Sequence, residues 1–413
     1  MKHRNPVETM ANARHEFGEH GGVNMSVEAS TTFTVLHSNT MPEIFGGEKG
    51  PEQGGCYLYG RHFNPTVYSL GKQLAALEGT ESAYCSASGM SAISATLMQL
   101  CDAGDHIVSS NAIYGGSYAL MHDLLPPKTG ITTTLVDITD LDAVEAAITE
   151  RTRVIFTESM SNPTLRIADI PRLSAIAKRH GIKLVVDNTF SPLILSPKEL
   201  GADIVVHSMT KFISGASDFI AGAVCADAAF IQELMDLHTG MLMILGPTMD
   251  PQVAFNISLR LPHLPIRMTE HSRRTQIFAE RLHEMGMTVT YPGLADHPDH
   301  ALLSELHSPD YGYGGILTLD MGTVERADEL LDLLQNEYSF GYVAVSLGYF
   351  DTLMSCSGSS TSSEMTDEDK SAAHISPGLV RLSIGYTGTT EQRWQQLTEA
   401  LERVSAPPER QIA

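Results

Sequence analysis

Between about residues 66 and 225 the chain alternates short apolar runs, rich in β-branched residues, with stretches of helical period. That alternation predicts an α/β layer fold around a mostly parallel sheet. The runs at 107–108, 135–136, 154–156, 184–186, 204–206 and 221–224 are expected to be buried strands. Val67, Leu70, Leu74 and Leu77 recur as one face of a helix requires. After about residue 265 the pattern changes. A long helix is expected around 271–285, strands at 288–291 and 316–319, and helices near 326–334 and 391–404, together an α+β unit. The first sixty residues carry Gly, Asn, Thr and Pro with little periodicity, so they read as an extended arm that packs on something else, naturally a neighbouring subunit. The expected division is an arm at 1–65, a sheet domain at 66–264 and a smaller C-terminal domain at 265–413. The run Ser-Cys-Ser-Gly-Ser-Ser-Thr-Ser-Ser at 355–363 is low in complexity and reads either as a surface linker or as a loop lining a site. No solenoid period is visible.

At 413 residues the chain is longer than one hydrophobic core sustains, and 42% apolar against 18% charged residues is ordinary globular composition. A net charge of −22 repels phosphate backbones and anionic lipid, which argues against nucleic-acid and membrane roles. Cys56, Cys85, Cys101, Cys225 and Cys356 are odd in number and scattered, as reduced thiols would be. With no apolar stretch near the N-terminus or of membrane-spanning length, the chain is expected to be cytoplasmic. His297 and His300 lie in a polar Asp-His-Pro-Asp-His loop, and no metal is expected.

Three segments carry candidate chemistry. An apolar strand ends at Asp187, where ligands of open α/β sheets sit, and a carboxylate there can keep a pyridinium protonated or merely cap the next turn. A second strand opens into His-Ser-Met-Thr-Lys, placing Lys211 beside Ser208 and Thr210. Burial and nearby cations would lower the proton affinity of that amine and make it a nucleophile for an aldehyde. The third, Ser86-Ala-Ser-Gly-Met-Ser-Ala, precedes a helical run, and its free N–H groups can bind an anion or form a plain cap.

Together with Tyr59-Gly-Arg-His-Phe-Asn-Pro-Thr66, Tyr114-Gly-Gly, Glu158-Ser-Met-Ser-Asn-Pro-Thr164, Asp187-Asn-Thr189 and Gly378-Leu-Val-Arg-Leu-Ser383, these motifs resemble, in order and spacing, the Cys/Met-metabolism pyridoxal-phosphate enzymes. The resemblance implies an aspartate-aminotransferase-like (fold type I) architecture and a homotetramer made of two active-site-sharing dimers. It implies pyridoxal 5'-phosphate bonded to Lys211, with Asp187 at the ring nitrogen and Tyr114 stacked on the ring. Gly89, Met90, Ser208 and Thr210 match phosphate-binding positions, Ser88, Asn162 and Thr189 match further cofactor-binding positions, and Tyr59 and Arg61 match a pair reaching in from the neighbouring subunit. Arg381 matches the arginine that holds a substrate carboxylate, with Ser346 and Val345 beside the substrate.

Members acting on cystathionine commonly carry Glu where this chain has Val345, and an apolar group there suits a thioether end. The segments 14–25, 246–249 and 355–364 look like plant-type methionine γ-lyases. Gly116 stands where bacterial methionine γ-lyases have Cys, and Ala216 where the lysine loop usually has His. The implied reaction is elimination from methionine to methanethiol, 2-oxobutanoate and ammonia, with Lys211 as base and Tyr114 as proton donor to the departing thiolate. The O-acetylhomoserine or O-succinylhomoserine sulfhydrylases and the cystathionine γ-lyases or synthases stay open as alternatives, as does a non-catalytic nucleotide-binding or regulatory protein.

Overall fold

Seven strands form the larger sheet of the computed structural model, which describes residues 4–14, 17–46, 48–50, 56–357, 365–373 and 375–405. They are β1 (Ser82–Ser86), β2 (His106–Ser110), β3 (Thr132–Val136), β4 (Thr152–Glu158), β5 (Lys183–Asp187), β6 (Ile204–Ser208) and β7 (Gly222–Ala226). Their spatial order is β1-β7-β6-β5-β4-β2-β3. Strands β6, β5, β4, β2 and β3 run parallel, and β7 is antiparallel to both its neighbours. A parallel sheet is covered on both faces, which is why its strands read as unbroken apolar runs. Ile155, Val186 and Val205 enter one core, while Phe156, Val185 and Val206 enter the other.

Strand β1 was not among the expected runs. Its sequence, Ser-Ala-Tyr-Cys-Ser, has no β-branched residue, and it is held by pairing with β7 while Tyr84 and Cys85 are buried. The helix Pro65–Glu78 packs Leu70 and Leu74, both fully buried, into the first core. Truncating such a leucine to alanine costs about 2–5 kcal/mol. Asn64 caps this helix at its start, and Gly79, at φ 77°, ends it. The helix Gly89–Leu100 covers the opposite face.

The smaller sheet contains β8 (Val289–Thr290), β9 (Ile316–Asp320), β10 (Gly341–Val343), β11 (Thr352–Cys356) and β12 (Leu379–Ser383), ordered β10-β11-β12-β9-β8. Phe278, Leu330 and Leu397, from the helices Leu264–Glu284, Val324–Asp332 and Thr390–Ser405, close its core. The first of these helices starts earlier than its periodicity suggests, because a proline in its first turn suits a helix start.

Two expectations change. Ser355 and Cys356 belong to β11, and they and Ser357 are buried, so the start of the Ser-rich run is core rather than linker. Ser355 and Cys356 pair with Arg381 and Val380 of β12, and the Ser357 N–H bonds the Leu379 carbonyl, so this stretch is held by backbone pairing. Residues 358–363 lie outside the described residues. Within the first sixty, Pro6–Ala13 is a helix and not extended chain. Its Met10 enters the first core, and Arg4 and Thr9 donate to carbonyls at Ala76 and Leu77.

Candidate active site

Strands β4, β5 and β6 end side by side in Glu158, Asp187 and Ser208, at the edge where open α/β sheets bind ligands. A cavity of about 220 Å³ opens there. Lys211, one turn beyond β6, and Arg381, from β12 of the other sheet, both line it.

Glu158 and Asp187 are direct partners across the ladder and form the floor. Asp187 Oδ1 accepts the backbone N–H of Thr189 at 2.9 Å and its hydroxyl at 2.5 Å. Its Oδ2 makes no bond among the described residues. Burial pushes the Asp187 carboxyl up from its ordinary value, and the Thr189 bonds oppose the shift. Glu158 uses both oxygens, accepting the N–H of Tyr114 at 2.8 Å and that of Asn162 at 2.9 Å. It too is pushed up, first by burial and then by Asp187.

Lys211 Nζ donates to Ser346 Oγ at 3.0 Å. Arg381, 2% exposed, donates Nη1 to Asn162 Oδ1 at 3.0 Å and Nη2 to the Ser346 carbonyl at 3.1 Å. Ser346 therefore sits between the two cations. Burial, then the charge of Arg381, pulls the lysine down to about 8. Burial brings Arg381 to about 10, which leaves it charged at neutral pH.

This lysine shift has a measurable consequence. In the ligand-free protein, labelling of Lys211 by an amine-reactive ester should rise about tenfold per pH unit and level off above about 8, because only the neutral amine reacts. Exposed lysines should keep rising toward an ordinary value of about 10.4. A Lys211 profile like theirs, read by mass spectrometry, would contradict the lowered value.

Ser88 caps the helix Gly89–Leu100 by accepting the Ser91 N–H at 3.0 Å. The N–H groups of Gly89 and Met90 are then those a helix start leaves without intrahelical partners. Gly89 is required here, since a Cβ would come within 2.6 Å of Ser208 Cβ. Thr210 lines the cavity, but its hydroxyl already accepts the Ala221 N–H at 3.0 Å.

Tyr114 stands at the wall, at the start of the helix Gly115–Ala119, with its ring against Gly116. A Cβ at Gly116 would lie 2.5 Å from Tyr114 Cε1 and 3.3 Å from Met90 Sδ, so the ring fills the space a cysteine would need. The lining has an apolar side made by Ile220, Val345 and the buried Leu347. Val345 is 70% exposed, so it borders the opening rather than a closed pocket.

The cavity thus gathers Ser88, Gly89, Met90, Tyr114, Asn162, Asp187, Thr189, Ser208, Thr210, Lys211, Val345 and Arg381, with Ser346 hydrogen-bonded to Lys211. Tyr59 and Arg61 do not line it. Arg61 stacks over the half-exposed Tyr59 ring at 5.7 Å and donates to the Met243 carbonyl. Ile93, Glu158, Met160, Phe190, Ile220 and Leu347 also line the cavity and were given no role from sequence, although Glu158 and Met160 fall within a motif quoted above. Only Glu158 left a signal, a charge ending an apolar strand as Asp187 does.

His297 Nδ1 accepts the Asp299 N–H, and His300 Nδ1 pairs with the Pro292 carbonyl. Among the described residues, no group of three potential ligands could hold a metal ion, and no helix is long and apolar enough to cross a membrane.

Comparison with known proteins places this geometry in context. The profile of the Cys/Met metabolism PLP-dependent enzymes matches residues 8–402. A methionine gamma-lyase of Arabidopsis thaliana is 57% identical over 400 residues, covering 97% of this chain and 90% of that protein. An L-methionine gamma-lyase of Pseudomonas putida is 36% identical, covering 89% and 90%. Among solved structures, a putative O-acetylhomoserine (thiol)-lyase of Campylobacter jejuni superposes with a TM-score of 0.87 at 28% identity, covering 96% of this chain and all of that one. It carries N'-pyridoxyl-lysine-5'-monophosphate. A cystathionine gamma synthase of Xanthomonas oryzae gives 0.84 at 32% identity, covering 97% and 98%.

Proposed function

Because the chain belongs to the Cys/Met metabolism PLP-dependent enzymes, we propose that this cavity holds pyridoxal 5'-phosphate and cleaves L-methionine to methanethiol, 2-oxobutanoate and ammonia. The fold is that of the fold type I enzymes of this group. The residues fit the cofactor. Asp187 is a buried carboxyl group whose Oδ1 is taken by Thr189 while Oδ2 has no hydrogen-bond partner among the described residues, the lowered Lys211 amine faces the same space, and a helix start offers two N–H groups. When bound, the cofactor supplies an aldehyde that bonds an amine and a protonated ring that withdraws electrons from the substrate carbons.

The protein's own groups do the rest. Lys211 would hold the aldehyde, Asp187 Oδ2 the proton on the ring nitrogen, and Gly89, Met90, Ser208 and Thr210 the phosphate, with Asn162 and Thr189 near the ring. The Arg381 fork binds the substrate carboxylate, since a buried guanidinium presents paired donors to a planar anion. Lys211, once released by the incoming amine, would take the proton from Cα, give it up, and as a neutral amine again take one from Cβ. Tyr114 gives its hydroxyl proton to the departing sulfur.

The observation that carries the choice of methionine is the apolar side of the lining. Ile220, Val345 and Leu347 offer a thioether apolar contact, and the two carboxylates of the lining, Glu158 and Asp187, belong to the floor at the strand ends. Val345→Glu should therefore move the ratio of the two kcat/KM values toward cystathionine, by roughly tenfold or more. At this exposed position a carboxylate stays hydrated, so the shift comes from the distal ammonium of cystathionine, which would pair with it, whereas methionine has no such group. An unchanged ratio with intact cofactor binding would mean that Val345 does not face the substrate.

Tyr59 and Arg61 are assigned to the phosphate of a neighbouring subunit within a homotetramer of two active-site-sharing dimers. The exposed apolar Leu36, Ile244 and Leu245 support a subunit contact, as uncovered apolar surface commonly does. Mixing inactive Arg61→Ala with inactive Lys211→Ala protomers should restore part of the activity through hybrid sites. No recovery despite demonstrated subunit exchange would refute the shared site. The free thiols support a cytoplasmic setting, which cell fractionation would test.

A further inference from the structure

We propose that Glu158 is a positioning residue whose carboxylate sets Tyr114 and Arg381 in register across the active site. This deepens the proposed function and rests on it for the roles of those two residues. Glu158 closes β4 and is anchored by the ladder to β5, so its side chain is a fixed point. One oxygen takes the N–H of Tyr114, at the turn after β2, and the other takes the N–H of Asn162, at the turn after β4. The Asn162 side-chain oxygen then receives Arg381 from the smaller sheet. A single carboxylate thereby joins the wall over the cofactor site to the arginine facing the substrate.

Stability alone gives little reason for an acid here. Glu158 is 6% exposed and pairs across the ladder with another carboxylate, an arrangement that burial and like charge both disfavour. What a carboxylate offers is two acceptors at equal reach. Glutamine matches its shape but would turn an N–H₂ toward one of the two N–H donors and release that turn.

The test compares the cofactor-loaded wild type with Glu158→Gln and Glu158→Asp. Displacement near 1 Å at reacting groups can cost about a hundredfold, so Glu158→Gln should lower kcat by roughly ten- to a hundredfold. It should also raise KM for methionine and alter the visible circular dichroism of the bound cofactor. Glu158→Asp keeps both acceptors on a shorter stem and should recover part of each change. Values of kcat, KM and visible dichroism within about twofold of wild type for Glu158→Gln would overturn the proposal, taking twofold as the limit below which no group has moved. If Glu158→Gln does not fold, an unchanged KM and dichroism in Glu158→Asp would overturn it. If the wild type fails to cleave methionine, the proposed function falls, and the dichroism decides the role of Glu158 by itself.

Discussion

Lys211→Ala should abolish turnover while leaving the fold intact. Two separate jobs meet on this one amine: among the described residues it is the only lysine lining the cavity, and it is the group placed to bond the cofactor and then carry protons at Cα and Cβ. Its position beside Ser346 and its value of about 8 suit both, since about a tenth of the amine is neutral at pH 7, far more than at an ordinary lysine. Alanine removes nucleophile and base together. Losses at residues that act as a unit reach about a millionfold in other enzymes, so activity should fall below detection. The fold should survive, because the lysine makes one hydrogen bond and carries a charge that burial disfavours. Activity near that of wild type in a folded Lys211→Ala protein would defeat the assignment.

Asp187→Asn is expected to be the next most damaging change, lowering kcat by roughly a hundred- to a thousandfold, the scale of losing one well-placed electrostatic group. The amide keeps the side chain's shape and can still accept from Thr189, but it has no charge to hold a proton on the ring nitrogen. The cofactor-free protein gives the control. A carboxyl whose folded pKa is raised costs stability as pH climbs from its ordinary value through the raised one, because the folded state then holds more protons than the unfolded. A neutral amide removes that cost, so the unfolding midpoint of cofactor-free Asp187→Asn at neutral pH should equal or exceed that of wild type. A variant that lost activity only because it unfolded would show a lowered midpoint instead.

Most strands of the larger sheet were legible because burial on two sides favours consecutive apolar, β-branched residues, as in Val154, Ile155 and Phe156. Strand β1 was not, since its Ser-Ala-Tyr-Cys-Ser sequence depends on β7 for pairing. Tertiary contact also decided the Ser-rich run, whose first three residues are buried in the smaller sheet although their composition reads as loop.

Within the candidate site, Asp187 and Lys211 stood out because a charge next to an apolar strand is unusual anywhere in a chain. Glu158 shows the same signal, yet its meaning depends on turns 44 residues before it and four after it. Local pattern carries no record of such meetings. Ile220 and Leu347 looked like any apolar residue, and only the closure of the two sheets around the cavity brings them into its lining.

The most direct test is to incubate the cofactor-loaded protein with L-methionine and follow methanethiol, 2-oxobutanoate and ammonia together, beside a parallel reaction with O-acetylhomoserine and sulfide. Equal amounts of the three products from methionine, formed faster than any thiol-replacement product, are the expected result. No 2-oxobutanoate from methionine, with efficient incorporation of sulfide into O-acetylhomoserine, would contradict the assignment and identify the chain as a replacement enzyme of the same family.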